Sequence, residues 1–160
     1  MARGCLVALV LSLANITSLV AQQTPPPPLS VINKRDLAFG SVLPGVPTHV
    51  LPNDLARAGE FEITGPANCS IQITFVLPPA LIGPGNATMP VSFGALSAGF
   101  SASGSITNQE PFDPWIPFST NLPSNGRASG FLGGVLTPSA IQAPGSYGGA
   151  ATITVAPTCT

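Results

Sequence analysis

The sequence has 160 residues and few charges, with five Lys and Arg, six Asp and Glu and a single histidine. This slightly acidic composition lacks the basic surface that nucleic acid binding requires and offers no electrostatic attraction to anionic lipid. Seventeen glycines and nineteen prolines disfavour helices and favour short strands joined by many turns.

The first residues have the pattern of a targeting segment. Arg3 precedes an apolar run, Cys5–Val20, and the small residue Ala21 ends it. This pattern predicts a signal peptide over residues 1–21 that is cleaved on export. The alternative, a membrane anchor, is disfavoured because the run of about 16 residues is shorter than the roughly 20 that a span needs. We therefore expect a protein in the periplasm or at the cell surface, or otherwise secreted, with no membrane span after cleavage.

Two cysteines remain after cleavage, because Cys5 leaves with the signal peptide. Cysteines of an exported chain most often pair, which predicts a disulfide between Cys69 and Cys159. The alternative is two free thiols in a compartment without an oxidant. A metal site would need more ligands, and His49 lies far from either cysteine in the sequence. We expect no metal ligands.

Residues 22–36 are predicted to be a Pro-rich linker followed by a first edge segment, and residues 37–160 to be one β-sandwich domain. Pro25–Pro28 favours an extended polyproline conformation without N–H donors. Leu29–Ile32 follows as a short candidate edge strand.

Alternating apolar and polar residues predict strands along the first half of the domain. These strands are Leu37–Val42, Val46–Leu51, Glu60–Thr64, Ser70–Leu77 and Met89–Leu96. Pro47 places the second of them at a sheet edge. The third and fourth, joined by Gly-Pro-Ala-Asn, are predicted to pair as an antiparallel hairpin.

The second half continues the pattern with Phe100–Ile106, Gly130–Thr137 and a terminal strand, Tyr147–Val155. Gly133 and Gly134 indicate a bulge or a close approach of two backbones. About seven to nine short strands, with turn signals every 8–12 residues or so, predict an all-β fold, an Ig-like antiparallel β-sandwich. A small closed barrel is the alternative.

The segment Asn108–Arg127 is rich in proline and in aromatic residues. Its prolines exclude a central strand, and irregular segments of about 20 residues are often functional. The candidate binding residues in it are Phe112, Trp115, Ile116 and Phe118. They either form an exposed patch for a sugar ring or a protein, or they fold down as a cap over one end of the sandwich, which the rarity of large exposed apolar patches favours.

Catalytic chemistry has few candidates. A Ser-His-Asp triad requires a histidine as base, and His49 lies on the strand that Pro47 places at a sheet edge. Glu60 and Glu62 alternate with Phe61 and Ile63, which places both carboxylates on the solvent face rather than in an acid–base pair. We therefore predict no catalytic residues and no cofactor site, and we do not expect an enzyme.

Five motifs, in order, resemble a bacterial secreted family catalogued as domain of unknown function 4402. They are Leu37-Ala38-Phe39-Gly40-Ser41-Val42-Leu43-Pro44-Gly45, Phe61-Glu62-Ile63-Thr64-Gly65, Thr88-Met89-Pro90-Val91, Gly133-Gly134-Val135-Leu136-Thr137 and Gln142–Gly149 with Thr152–Val155. The family is similar to fimbrial subunits and spore-coat-U-type pilus proteins. The resemblance therefore implies an exported Ig-like protein without known catalysis.

These observations favour a structural or cell-surface interaction protein, with a pilin-like subunit as the specific form that the resemblance implies. Pilin-like subunits assemble by strand addition, but Pro25–Pro28 cannot donate N–H groups, and the chain contains a terminal strand of its own. We therefore expect a self-complete domain rather than an obligate polymer. The alternative is a carbohydrate- or protein-binding module that uses the loop Phe112–Phe118. The candidate partners are the chain itself, another cell-surface protein and a glycan.

Overall fold

The computed structural model describes residues 25–159, which form twelve strands and a single 3-10 turn, Pro84–Asn86. The strands are β1 (Ser30–Arg35), β2 (Thr48–Val50), β3 (Gly59–Thr64), β4 (Ser70–Val76), β5 (Ala80–Ile82), β6 (Thr88–Ser92), β7 (Ala98–Ser101), β8 (Glu110–Phe112), β9 (Phe118–Asn121), β10 (Arg127–Leu132), β11 (Gly134–Leu136) and β12 (Thr152–Pro157). The predicted all-β fold is confirmed. The predicted signal peptide, residues 1–21, lies outside the described residues.

The strands form two layers of antiparallel sheet. One layer is the sheet β1-β3-β10-β7-β8, and the other consists of two sheets, β12-β4-β9 and β2-β11-β6-β5. A bridge between Ile82 of β5 and Gly148, ahead of β12, links these two sheets. Strand β10 continues through Gly133 into β11, so one stretch of chain serves both layers. The predicted close approach at this glycine is confirmed, because a side chain there would meet the backbone of Leu51 at 2.8 Å.

The core lies between the apolar faces of the two layers. Phe61 of β3 meets Phe75 of β4 with ring centroids 5.7 Å apart, and Phe100 of β7 meets Phe118 of β9 at 5.9 Å. The opposite face of β3 carries Glu60 and Glu62, both half-exposed. The alternation of this strand therefore has the orientation that the sequence predicts.

The predicted hairpin between the third and fourth strands is wrong. Strand β3 pairs with β1 and β10, whereas β4 pairs with β12 and β9 in the other layer. The connection turns at Asn68, which has a φ of +58°. The apolar faces of β3 and β4 therefore lie against each other, and alternation alone does not distinguish this arrangement from side-by-side pairing.

The predicted strand Leu37–Val42 is also wrong, since no residue between Asp36 and Pro47 lies in a strand. Gly40 has a φ of +72°, which breaks the extended conformation. Leu37, Phe39 and Val42 nevertheless pack against the core. Burial without backbone pairing gives this segment the sequence pattern of a strand.

The number of strands exceeds the predicted seven to nine because the second half is more finely divided. The segment Asn108–Arg127 contains two edge strands, β8 and β9, and Pro111 occupies an edge position in β8, where it interrupts no central ladder. The terminal strand β12 begins at Thr152 rather than Tyr147, although a bridge between Ile82 and Gly148 extends its pairing.

Candidate functional site

The sandwich is closed on one side and open on the other. Strands β8 and β9 form the edges of the two layers on the closed side, and residues 113–117 connect them directly. The opposite edges are β1 and β12, and these strands do not pair with each other. The open side is therefore bounded by two edge strands that face each other across the core.

A groove of about 1220 Å³ lies on this open side. One wall is formed by β1 and the chain that follows it to Pro44, and the other by residues 144–153. The floor is apolar and consists of Phe61, Phe75, Leu81, Met89, Val91, Phe93, Leu132 and Leu136. The groove is larger than the 300–1,000 Å³ or so that is typical of small-molecule sites.

The backbone of β12 directs alternate residues toward β4 and toward the groove. Thr158 donates to the Ser70 carbonyl at 2.8 Å, and Gly148 exchanges two hydrogen bonds with Ile82. These residues, like Thr152, Thr154 and Ala156, have even numbers. In an antiparallel ladder, the residues between them point their N–H and C=O groups the other way.

The odd-numbered residues of this edge therefore present unpaired backbone groups to the open side of the described sandwich. They are Tyr147, Gly149, Ala151, Ile153 and Val155. The side chains of Tyr147, Ile153 and Val155 are half-buried toward the core. Pro157 is the next odd-numbered residue and has no N–H, so it ends the series of donors. We call residues 147–155 the open edge.

The two edges differ in charge. No charged residue follows Arg127 in the sequence, so the open edge is uncharged. Strand β1, in contrast, carries Lys34, which pairs with Glu62 at 3.1 Å, and Arg35, which lies 3.3 Å from Glu60. Charged side chains protect an edge against pairing, so the open edge is the less protected of the two.

The segment 37–42 covers part of the groove without closing it. Apart from the hydrogen bond that Ala38 donates to the Arg57 carbonyl at 2.9 Å, its backbone groups make no bond to another described segment. Phe39 reaches across to the backbone of Gly134. The segment thus supplies apolar contact to the floor and leaves the open edge unpaired.

We call the loop Phe112–Phe118 the aromatic loop. Its four candidate residues lie in two different environments. Phe112 is 7% exposed and stacks on the half-buried Phe118 at a centroid distance of 4.2 Å. Trp115 and Ile116 are 56% and 62% exposed. The Trp115 indole N–H donates to the Phe93 carbonyl at 2.8 Å, which fixes the ring while leaving much of it accessible. The binding role of these four residues remains a prediction.

The two cysteines form the predicted disulfide. Cys69 is buried directly before β4, and Cys159 follows β12, with the Cα atoms 5.3 Å apart. The bond ties the C-terminal end of β12 to its neighbouring strand, and it fits a protein outside the cytoplasm. Residues 25–159 contain no helix long and apolar enough to cross a membrane.

The titratable side chains are dispersed over the surface. His49 is exposed on β2. The Arg57 side chain, and after it the backbone N–H of Ala56, lower the pKa of Asp54 below its ordinary value by hydrogen bonding to the carboxylate. Within residues 25–159, no three His, Cys, Asp or Glu side chains lie close enough together to hold a metal ion.

One family model matches the chain. It is described as Domain of unknown function (DUF4402), and it covers residues 48–156, about two thirds of the sequence. The matched region includes the floor of the groove and the whole open edge. Comparison with curated proteins and with solved structures gave no significant match.

Proposed function

The chain belongs to the family described as Domain of unknown function (DUF4402), and we propose that it is an exported, non-catalytic structural or cell-surface interaction protein. Its open side receives an extended segment of a partner. The observation that carries this proposal is the groove between two unpaired edges, with an apolar floor and the uncharged open edge along one wall. This arrangement suits strand addition, in which backbone hydrogen bonds give affinity and alternate side chains fill the groove.

The composition of the walls favours a peptide strand over a small molecule. The open edge offers backbone donors and acceptors at every second residue, over a length of roughly 30 Å for nine extended residues. An added strand satisfies these groups and places every second side chain over the apolar floor. A pilin-like subunit is the specific form of this proposal, and the resemblance to fimbrial proteins supports it.

The absence of catalysis is part of the proposal. The carboxylates of Glu60 and Glu62 lie in ion pairs on the polar face of β3. Of the two, Glu60 borders the groove, where it is paired with Arg35. The lowered pKa of Asp54 keeps this carboxylate ionised near neutral pH and makes it a weaker base, which suits it poorly to general acid–base catalysis. These placements support a role in binding and assembly.

A synthetic peptide tests strand addition directly. We expect a peptide as long as the open edge, with alternating threonine and valine, to bind the protein and to slow hydrogen exchange at the amides of Ala151, Ile153 and Val155. The amides of Thr152 and Thr154 already bond to β4 and should change little. The measurement is amide exchange by nuclear magnetic resonance, with and without peptide.

The matched control is the same peptide with N-methyl groups on alternate residues, which removes the donors that pair with the open edge. This control should not bind. Equal binding of both peptides, or unchanged exchange at all three odd-numbered amides of protein that light scattering shows to be monomeric, would contradict strand addition at this edge.

A second candidate function is binding of a glycan or protein by the exposed end of the aromatic loop. The observation that favours it is Trp115, whose ring is held by a hydrogen bond and is still 56% exposed. A fixed aromatic face of this kind can stack on a sugar ring.

Replacing Trp115 by alanine tests this second function. The variant should fold, with a loss of unfolding free energy of about 1–2 kcal/mol from the hydrogen bond and partial packing, and it should lose binding to a glycan array. Trp115→Phe keeps an aromatic face and should retain part of the binding. If Trp115→Ala unfolds, the residue belongs to the core; if the variant binds the array like the wild type, the loop is not the binding site.

A further inference from the structure

We infer that the partner strand comes from a second copy of this chain, and that two open edges pair antiparallel about a two-fold axis at Ala151. The inference rests on the proposed function, because it uses the same edge and groove. It adds the identity of the partner, the register and the closed, dimeric form of the assembly.

The hydrogen-bonding pattern of the open edge is complementary to itself. With Ala151 opposite Ala151 of the second copy, Tyr147 lies opposite Val155, and Gly149 lies opposite Ile153. Every odd-numbered residue then faces an odd-numbered residue, which gives about ten backbone hydrogen bonds across five pairs. Pro157 falls outside the ladder, so its missing N–H interrupts nothing.

The side chains of the same register are complementary in size. The largest side chain of the edge, Tyr147, is paired with the β-branched Val155, a favourable kind of cross-strand pair. Ile153 is paired with Gly149, and the axis passes between two alanines. The core-facing side chains of one copy therefore lie over the groove of the other copy. Neither Tyr147 nor Ile153 lies directly opposite a second Tyr or Ile side chain.

The charge pattern restricts self-pairing to this edge. Between two copies of the open edge there is no charged side chain to repel or to desolvate. Pairing of two β1 strands would instead bring Lys34 and Arg35 of both copies into one ladder, and like charges directly opposite each other are destabilising. Of the two edges on the open side, only the open edge suits an isologous contact.

Two-fold pairing gives a closed assembly. Each copy uses its open edge once and has none left for a third copy, so the contact ends at a dimer and does not continue into a filament. The closed dimer therefore replaces the pilin-like form of the proposed function and keeps its broader form, a cell-surface interaction protein that binds by strand addition. The two sheets β9-β4-β12 then join into one continuous sheet across the axis. The half-buried Ile153 and Val155 of both copies become covered.

A cysteine at the axis tests the register. In the proposed dimer, the two Ala151 Cα atoms lie about 5.5 Å apart, within the range of a disulfide. We expect Ala151→Cys to run as a covalent dimer on a non-reducing gel, with the Cys69–Cys159 bond intact by mass. Ala150→Cys is the matched control, because its symmetry mate lies on a diagonal about 7–8 Å away, and it should not cross-link.

A charge at the axis tests the contact without new covalent chemistry. Ala150 and Ala151 are both exposed in the single chain, so lysine at either position leaves the fold intact. Ala151→Lys places two ammonium groups face to face and should weaken dimerisation at least about tenfold by light scattering. Ala150→Lys should change it by less than about twofold.

The outcomes separate this inference from the proposed function. A dimer that cross-links at position 151 supports both. A monomer, or a ladder of larger multimers, overturns the closed dimer; if the threonine–valine peptide still protects the open edge, the proposed function stands. A monomer that also fails to bind the peptide overturns both.

Discussion

Replacing Cys159 by alanine is expected to lower the free energy of unfolding by about 4–5 kcal/mol, because the disulfide closes a long loop. The bonded cysteines are 90 residues apart, and the chain-entropy model gives this magnitude for a loop of that length. Cys159 is exposed, so its own packing contributes little. Since domains are stable by only about 5–15 kcal/mol, the loss is a large share of the total, and urea denaturation measures it.

The wild type in reductant is the control for the Cys159 variant. Both samples should unfold at the same lowered urea midpoint, and the oxidised wild type should be lighter than the reduced form by two hydrogens. Thr158→Ala changes an exposed neighbour and keeps the bond, so its midpoint should stay close to the wild-type value. Equal midpoints for oxidised and reduced protein would contradict the expected role of the loop.

The Cys159→Ala variant also tests how the disulfide stabilises the open edge. Thr158 donates to the Ser70 carbonyl next to the bridge, and Cys159 is the last described residue. Without the bond, the C-terminal end of β12 has only its ladder with β4 to hold it. We therefore expect hydrogen exchange to accelerate first at Ala156 and Thr158 and to reach the amide of Gly148 last.

Strands that are buried on one face were predictable from the sequence. In β3 and β4, apolar residues at every second position indicate which side chains are buried. The structure buries Phe61, Ile63, Ile71 and Ile73 accordingly. The same pattern does not report which strand lies beside which. This is why β3 and β4 were expected in one hairpin and lie in two layers.

The segment 37–42 is a second case in which alternating apolar residues do not predict backbone pairing. Its apolar residues alternate as in a strand and pack against the core, but its backbone forms no ladder. Alternation responds to burial, whereas a ladder also requires a neighbour at the right distance. In this protein, the neighbour that would complete the open side is missing from the described chain.

The groove itself was not predicted, because its walls lie 100 residues or more apart in the sequence, and the family motifs that both walls contain do not show that they face each other. Two signals were present. The chain carries no charge after Arg127, and Pro157 ends an otherwise proline-free alternating run. Together they mark an edge that is unprotected over a limited length, although only the structure shows that no strand covers it.

The aromatic loop combines prolines with large side chains, and the structure divides these side chains between two environments. Phe112 and Phe118 stack inside the closed side, where the chain passes from one layer to the other. Trp115 and Ile116, between them in sequence, are exposed. A loop that crosses between layers must bury its two ends and expose its middle, and composition alone does not show where that division falls.

Replacing Phe112 by alanine is therefore expected to lower the free energy of unfolding by about 3–5 kcal/mol, the usual range for a buried aromatic residue. The ring is 7% exposed and stacks on Phe118 at 4.2 Å and near Phe75 at 6.2 Å. Its removal leaves a cavity on the closed side that two other rings must line. Urea denaturation, read by the fluorescence of the single tryptophan, measures the effect.

Comparison with Phe118→Ala and with the double variant identifies the stack as the cause. Because the two rings share one contact, the double variant should lose less stability than the two single losses added together. Trp115→Ala, next to the same strand, should lose much less. If Phe112→Ala instead unfolds at the wild-type midpoint and loses binding to a glycan or protein, Phe112 acts in recognition rather than in closing the sandwich. The closed side would then also have to open, because a ring this buried can reach a ligand only if β8 and β9 separate.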